Sequence, residues 1–250
     1  MYKRQGITLA DYTKDLIQNH MYVGSYILLS FLSFMPGVFL FFFKNNVDVI
    51  NEVQDKKNIR DIKSILLQPK FLQAITAAAF AYAVMSFLMT ATPLSMHVME
   101  NISLKRTGFV LQIHVVAMFL PSLITGNLIK RFGHSKMIYL GVIFFTITVF
   151  LSAFDQTYFN YMLSLIFLGL GWNFLFISGT SLVVLTYNKN EKFKVQGFND
   201  LIVFSTMALA SLSAGILLNY IGWKMMNFIC IPFLILIVLV SIIADKKSKI

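Results

Sequence analysis

Residues 126–136 read Gly-Asn-Leu-Ile-Lys-Arg-Phe-Gly-His-Ser-Lys, a short basic turn set between two long apolar runs, 108–129 and 137–154. Each run is about the length an α-helix needs to cross the ~30 Å hydrocarbon core of a bilayer. Backbone amides find no water there, so a spanning segment is a helix or part of a closed barrel. A barrel strand alternates apolar and polar residues over about ten positions, and these runs do not alternate. Working outward, five further runs have the same character: 21–43, 71–93, 159–187, 201–221 and 225–244. The composition agrees. Hydrophobic residues make up 57% of the 250 and charged residues 13%, against about 45–50% and 25% in soluble domains. This excludes a cytosolic enzyme, a secreted disulfide scaffold and a disordered chain. The single cysteine, Cys230, allows neither an internal disulfide nor a cysteine metal cluster. The first run follows a mixed polar segment, is too long for a signal-peptide core and has no small-residue cleavage site, so it reads as a retained span.

The net charge of +10 would suit a nucleic-acid binder, but its placement does not. Fifteen of the 21 basic residues fall in alternate loops and the tail: Lys44, Lys56, Lys57, Arg60, Lys63 and Lys70; Lys130, Arg131 and Lys136; Lys189, Lys192 and Lys194; Lys246, Lys247 and Lys249. The loops between hold Lys105, Arg106 and Lys224, and three more precede the first span. Basic loops stay cytoplasmic. The expectation is a multi-pass plasma-membrane protein with a cytoplasmic C-terminus, residues 1–20 outside, and lipid rather than nucleic acid around it.

Two span ends are alike. Residues 126–133 and 215–222 both fit G-x-L-[IL]-x-x-[FI]-G, offset by 89 residues, one on each side of the membrane. Copies facing opposite sides are the mark of inverted repeats, here spans two to four and five to seven. The stretch 126–136 also resembles the cytoplasmic signature G-x-L-x-D-R-x-G-R-[KR] of the major facilitator superfamily. Gly126, Leu128, Arg131, Gly133 and Lys136 match it, and Lys130 stands where the family has an acid.

The resemblance implies that this turn belongs to the cytoplasmic gate, with glycines for close packing and a tight turn. It also implies a layout: an extracytoplasmic segment 1–20, the family's sixth helix at 21–43, its basic central loop at 44–70, a six-helix bundle of inverted three-helix repeats at 71–244, and a tail at 245–250. The fold class expected is all-α integral membrane with about seven transmembrane helices. Seven spans against the family's twelve look like a split, truncated or partial transporter, so a separate N-terminal half or self-association is an expected partner.

Polar groups inside lipid usually face a cavity or a partner helix. Gln112 and His114 in span three, Asn173 in span five, Thr90 in span two and Ser211 in span six are the candidate substrate-pathway residues. For His114 the alternatives are a titrating ligand group or a neutral interhelical tie; for Asn173, a cavity group or an interhelical hydrogen bond. Thr90, Thr92 and Pro93 mark either a broken gating helix or a locally re-satisfied backbone. Asp200 is expected to cap the start of span six, with a gate salt bridge to Arg131 or a neighbour as the other reading. Ala77/Ala81 and Ser211/Gly215 read as packing seams.

No span holds an Asp or Glu, so any proton coupling falls to His114 or to helices outside this chain. No phosphate-binding Gly-Lys-Ser/Thr loop, H-E-x-x-H motif or paired in-membrane carboxylate occurs, so no motor, protease, metal or cofactor is expected. A retinal protein would need a lysine in residues 225–244, which have none. The expected function is secondary transport of a small solute by alternating access, not catalysis. The competing expectation is a non-transporting scaffold or remnant of such a permease.

Overall fold

The computed structural model describes Thr13, Ile17 and residues 23–42 and 60–247, and among these it contains helices and no strand. Most of residues 1–20, Lys44, Lys56, Lys57 and residues 248–250 lie outside the described residues. The chain divides into two compact units, 1–58 and 59–250. In the first, α1 (Val23–Phe42) carries Pro36 and long apolar side chains that are mostly exposed, as a lipid-facing helix requires.

The second unit begins with a short helix, α2 (Ile62–Leu66), inside the stretch read as central loop. Six spans follow. The first is α3 (Pro69–Pro93), which opens on a proline at its first position and so starts two residues before the apolar run. Pro93 does not end it. The backbone continues as a π-helical turn, Leu94–Met99, while the Thr92 hydroxyl donates to the Leu88 carbonyl at 2.8 Å. The next span is two helices, α4 (Leu104–Phe119) and α5 (Ser122–Phe132), joined through Leu120 and Pro121 in helical conformation. Then come α6 (His134–Ser152) and α7 (Tyr158–Val183).

The last stretch is nominally one helix, α8 (Lys192–Ile229), leading at once into α9 (Ile231–Lys247). At 1.5 Å per residue a straight rod of this length would run about three bilayer thicknesses. Gly222 divides it, with φ 70° and ψ 172° inside an otherwise helical run. Residues 192–221 and 223–247 are therefore two spans, and with α1 the described residues hold seven. The all-α architecture matches the expectation from the apolar runs.

Asp200 lies eight residues inside α8 rather than at its start, so it is no cap. The apolar window missed these first two turns because Lys192, Lys194, Gln196 and Asn199 are polar, yet a helix propagates through them.

α7 is the central element and packs against α3, α4 and α6. Its glycines allow this. A Cβ at Gly169 would lie 2.8 Å from the His114 carbonyl and 3.0 Å from the Met118 nitrogen. One at Gly179 would lie 2.7 Å from the Ala74 carbonyl, and one at Gly171 would strike the Phe145 ring. Lipid gives little hydrophobic drive to helix association, so this backbone-to-backbone dispersion holds the bundle. Ala77 and Ala81 are fully buried on α3, in line with a packing seam.

The two repeat copies end in the same backbone geometry. Gly133 has φ 87° and ψ 160°, close to Gly222, and these are the positive-φ glycines among the described residues. Each is followed directly by a helix. The first glycines differ from the expectation of close packing. A Cβ added at Gly126 would meet nothing within 4 Å, and one at Gly215 would meet only a Leu94 methyl at 3.8 Å. Conformation is thus demanded at the second glycine of each copy and not at the first. Gly133→Ala and Gly222→Ala should each lower the thermal unfolding midpoint in detergent, by the ~1–3 kcal/mol of a side chain forced into a glycine-only backbone region. Gly126→Ala should leave it unchanged or raise it, since alanine is the better helix former.

Candidate functional site

Five aromatic rings meet near the middle of the bundle. Trp172 and Phe176 of α7 stack at 4.9 Å and 12°. Tyr82 of α3 stands edge-on to Trp172 (5.6 Å, 70°), to Phe176 (5.2 Å, 64°) and to Phe204 of α8 (6.1 Å, 68°). Phe119 of α4 meets Trp172 edge-on at 5.8 Å. Edge-to-face and offset-stacked pairs are the favoured arrangements of aromatic quadrupoles. Four helices contribute, α3, α4, α7 and α8; α6 and α9 supply none of these rings. Each ring lies within about a turn and a half of its span's midpoint, or ~8 Å along the axis. Trp172 is buried and its indole N–H has no hydrogen-bond partner, whereas Phe119 is 37% and Phe204 51% exposed.

Beside this cluster runs the α4–α7 seam, where Leu165, Gly169 and Asn173 recur at four-residue spacing along α7. His114 is fully buried, its Nδ1 2.7 Å from the Leu165 carbonyl. A carbonyl only accepts, so Nδ1 carries the proton and Nε2 is left as an unpartnered acceptor. One turn on, the main chain approaches Gly169. Two turns on, Asn173 serves the bend at Pro121. That proline has no N–H to give, and the ladder loosens: the Leu123 N–H donates to the Leu120 carbonyl at 3.3 Å. Asn173 Nδ2 donates to the Met118 carbonyl (2.7 Å) and to Ser122 Oγ (2.7 Å), and its Oδ1 accepts from Thr125 Oγ1 (2.6 Å). Both residues sit as interhelical ties. Gln112, half-buried, lies two residues before His114 on α4.

The structure brings together two other candidates, Thr90 and Ser211, whose hydroxyls lie 3.0 Å apart across α3 and α8. They lie seven to eight residues beyond Tyr82 and Phe204. The signature turn is exposed at Gly126, Lys130, Arg131, Gly133 and Lys136, and Leu128 is half-buried. Arg131 lies 5.2 Å over the Phe132 ring, and Asp200 accepts from Asn199 Nδ2 at 3.1 Å.

Sequence reasoning did not find two polar clusters at the Lys189 end of α8 and the start of α3. Arg60 donates to both oxygens of Glu191, from Nε at 2.9 Å and Nη2 at 2.6 Å, and its backbone N–H adds a third bond at 3.0 Å. The Asn188 N–H donates to the same carboxylate at 2.8 Å. Arg60 Nη2 also reaches the Thr186 carbonyl at 3.0 Å, so the α2 segment is tied to the α7–α8 loop. These bonds, those from Arg60 first, hold the Glu191 carboxyl at about 2, well below its ordinary 4.5. In the second cluster Gln73 donates to Ser135 (2.9 Å), and Ser135 and Tyr139 donate to Asp245 (2.6 and 3.0 Å), joining α3, α6 and α9. Separations of more than 60 residues hid both.

These contacts set the response to substitution. Asn173→Ala strips partners from the Met118 carbonyl and two hydroxyls in lipid, and should cost about 1–3 kcal/mol, read as a lower unfolding midpoint; Ser122→Ala should cost less. The Glu191 carboxyl is lowered on folding, so its contribution is complete above its unfolded value and fades as pH falls toward about 2. The midpoint difference between wild type and Glu191→Gln should be constant from about pH 5 to 8 and shrink below about pH 4.

Comparison with known proteins agrees with this architecture. A family model described as Major Facilitator Superfamily matches residues 74–249. The riboflavin transporter RfnT of Brucella anthropi is 37% identical over 248 residues, 98% of this chain and 61% of its own length. The uncharacterized MFS-type transporter YdeG of Bacillus subtilis is 28% identical over 205 residues, 78% of this chain and 47% of its own. The riboflavin transporter RibZ of Clostridioides difficile is 26% identical over 155 residues, 60% of this chain and 34% of its own. The chain thus spans about a third to three-fifths of the length of these relatives. With a family model matched over most of its length, this chain belongs to the major facilitator superfamily of membrane transporters.

Proposed function

We propose that this chain forms one wall of a secondary transporter that moves riboflavin, or a close flavin relative, by alternating access. In this reading the second unit rocks against another bundle about a site near the midplane, where such carriers bind substrate. The other bundle is an N-terminal half, on the same polypeptide or a separate one, or a second copy of this chain. The C-terminus and the turn at residues 130–136 lie in the cytoplasm, as their lysines and arginine favour.

The observation that carries the proposal is the five-ring cluster at mid-depth, drawn from four helices of the bundle. Apolar bulk alone would not place a tryptophan with an unpartnered N–H at the centre of a span. The two relatives named as riboflavin transporters point to the same substrate class.

The test is uptake of radiolabelled riboflavin by a riboflavin auxotroph without its own uptake system. The chain is expressed alone and with whatever polypeptide is encoded immediately upstream. Accumulation above the empty vector in either arm is expected. Membrane-inserted protein with no accumulation of riboflavin or other solutes in both arms would leave the non-transporting scaffold as the correct reading.

A further inference from the structure

We infer that Tyr82, Phe119, Trp172, Phe176 and Phe204 form a seat for one planar fused ring, and that the Thr90–Ser211 hydroxyl pair receives a polyol chain carried by that ring. The flavin identity of the ring rests on the transport reading; its chemistry rests on the geometry.

Of the contacts among these rings only Trp172–Phe176 is face to face; Tyr82 and Phe119 meet their neighbours at 64–70°. Phe119 and Phe204 are bound to the cluster by one such contact each and keep much of their surface free. A wall that only had to meet lipid would be served by aliphatic side chains at less cost in aromatic order. A wall that receives a flat conjugated ring needs half-free aromatic faces, because stacking is available to any π-system.

Independently of the stacking, the Trp172 N–H is buried and unpartnered, which costs free energy in a medium without water. A ring bearing carbonyl oxygens and imine nitrogens supplies the missing acceptor, whereas a lipid chain, a sugar or an aliphatic amine does not offer a face and an acceptor together. Displacement of the overlying rings admits it.

Spacing points the same way. Ser211 lies seven residues beyond Phe204 and Thr90 eight beyond Tyr82, so the hydroxyl pair stands about 10–12 Å from the rings along the helices. That is the reach of a fused tricycle carrying a short polyol. The two hydroxyls now satisfy one another at 3.0 Å, and an incoming polyol can exchange with that bond without leaving either group bare.

The chain has two tryptophans, which makes the test direct. Trp223 packs on Tyr161 at 5.2 Å, outside the cluster. Trp223→Phe leaves Trp172 as reporter at the seat, and Trp172→Phe leaves Trp223 as the matched control for absorbance by the ligand. The purified full chain in lipid nanodiscs is titrated with riboflavin, with lumichrome (the ring without its polyol) and with ribitol (the polyol without its ring).

Saturable quenching of Trp172 and not of Trp223 is expected with riboflavin and lumichrome, and none with ribitol. Phe204→Leu, at an exposed ring, should weaken riboflavin binding about tenfold with the helical circular dichroism unchanged. Thr90→Ala with Ser211→Ala should bring riboflavin down toward lumichrome while leaving lumichrome where it was. Equal quenching of both tryptophans, or no effect of Phe204→Leu, would overturn the seat even if riboflavin uptake is found. Quenching that follows the ring, in a chain that supports no riboflavin uptake, would uphold the seat and sink the flavin-transport reading instead.

Discussion

The bundle depends on how closely α7 approaches its neighbours. At Gly169, Gly171 and Gly179 the neighbouring α4, α6 and α3 come within about 3 Å of where a Cβ would stand. Dispersion falls steeply with distance, and in lipid it must do much of what hydrophobic burial does in water. A helix with side chains at these positions would stand farther off on three sides at once. The α4–α7 seam would then lose its hydrogen bonds as well, since the Asn173 and His114 contacts form only at this separation.

That seam shows how a proline is accommodated inside a membrane. Pro121 removes a donor and bends the span, and the liberated backbone must be served from elsewhere. Across this break Asn173 of α7 donates to the Met118 carbonyl and to Ser122 Oγ and accepts from the Thr125 hydroxyl. The bend and the amide are thus one device. At Pro93 the backbone instead runs on as a π-helical turn. The same residue type marks a kink in one span and a mere extension in another.

The aromatic cluster and the polar ties occupy different faces of the helices. Asn173 and His114 are locked into structural bonds along the α4–α7 seam, while the adjacent Trp172 and, one turn on, Phe176 face Tyr82. A one-residue step along a helix turns the side chain by about 100°, so neighbours in sequence divide between holding the bundle and forming its wall. The Arg60–Glu191 and Ser135–Asp245 groups do the tying at the ends of the spans, where charge can be kept near water.

The spans, the basic loops and the paired Gly-x-Leu ends were legible in the sequence, because lipid imposes length and polarity rules on each segment separately. Gly133 and Gly222 could be read too, since a positive φ is a local demand that glycine meets. The start of α8 at Lys192 was not, because a helix propagates past the apolar window that marks it. The role of phenylalanine was also hidden: with 25 of them in the chain, a ring that faces lipid and one that completes the wall look identical until four helices are laid side by side. Composition and periodicity determined that this chain crosses the membrane as a helical bundle. Only the tertiary structure decided which side chains meet, because a contact between residues 60 and 191, or 82 and 204, depends on distances that no local rule contains.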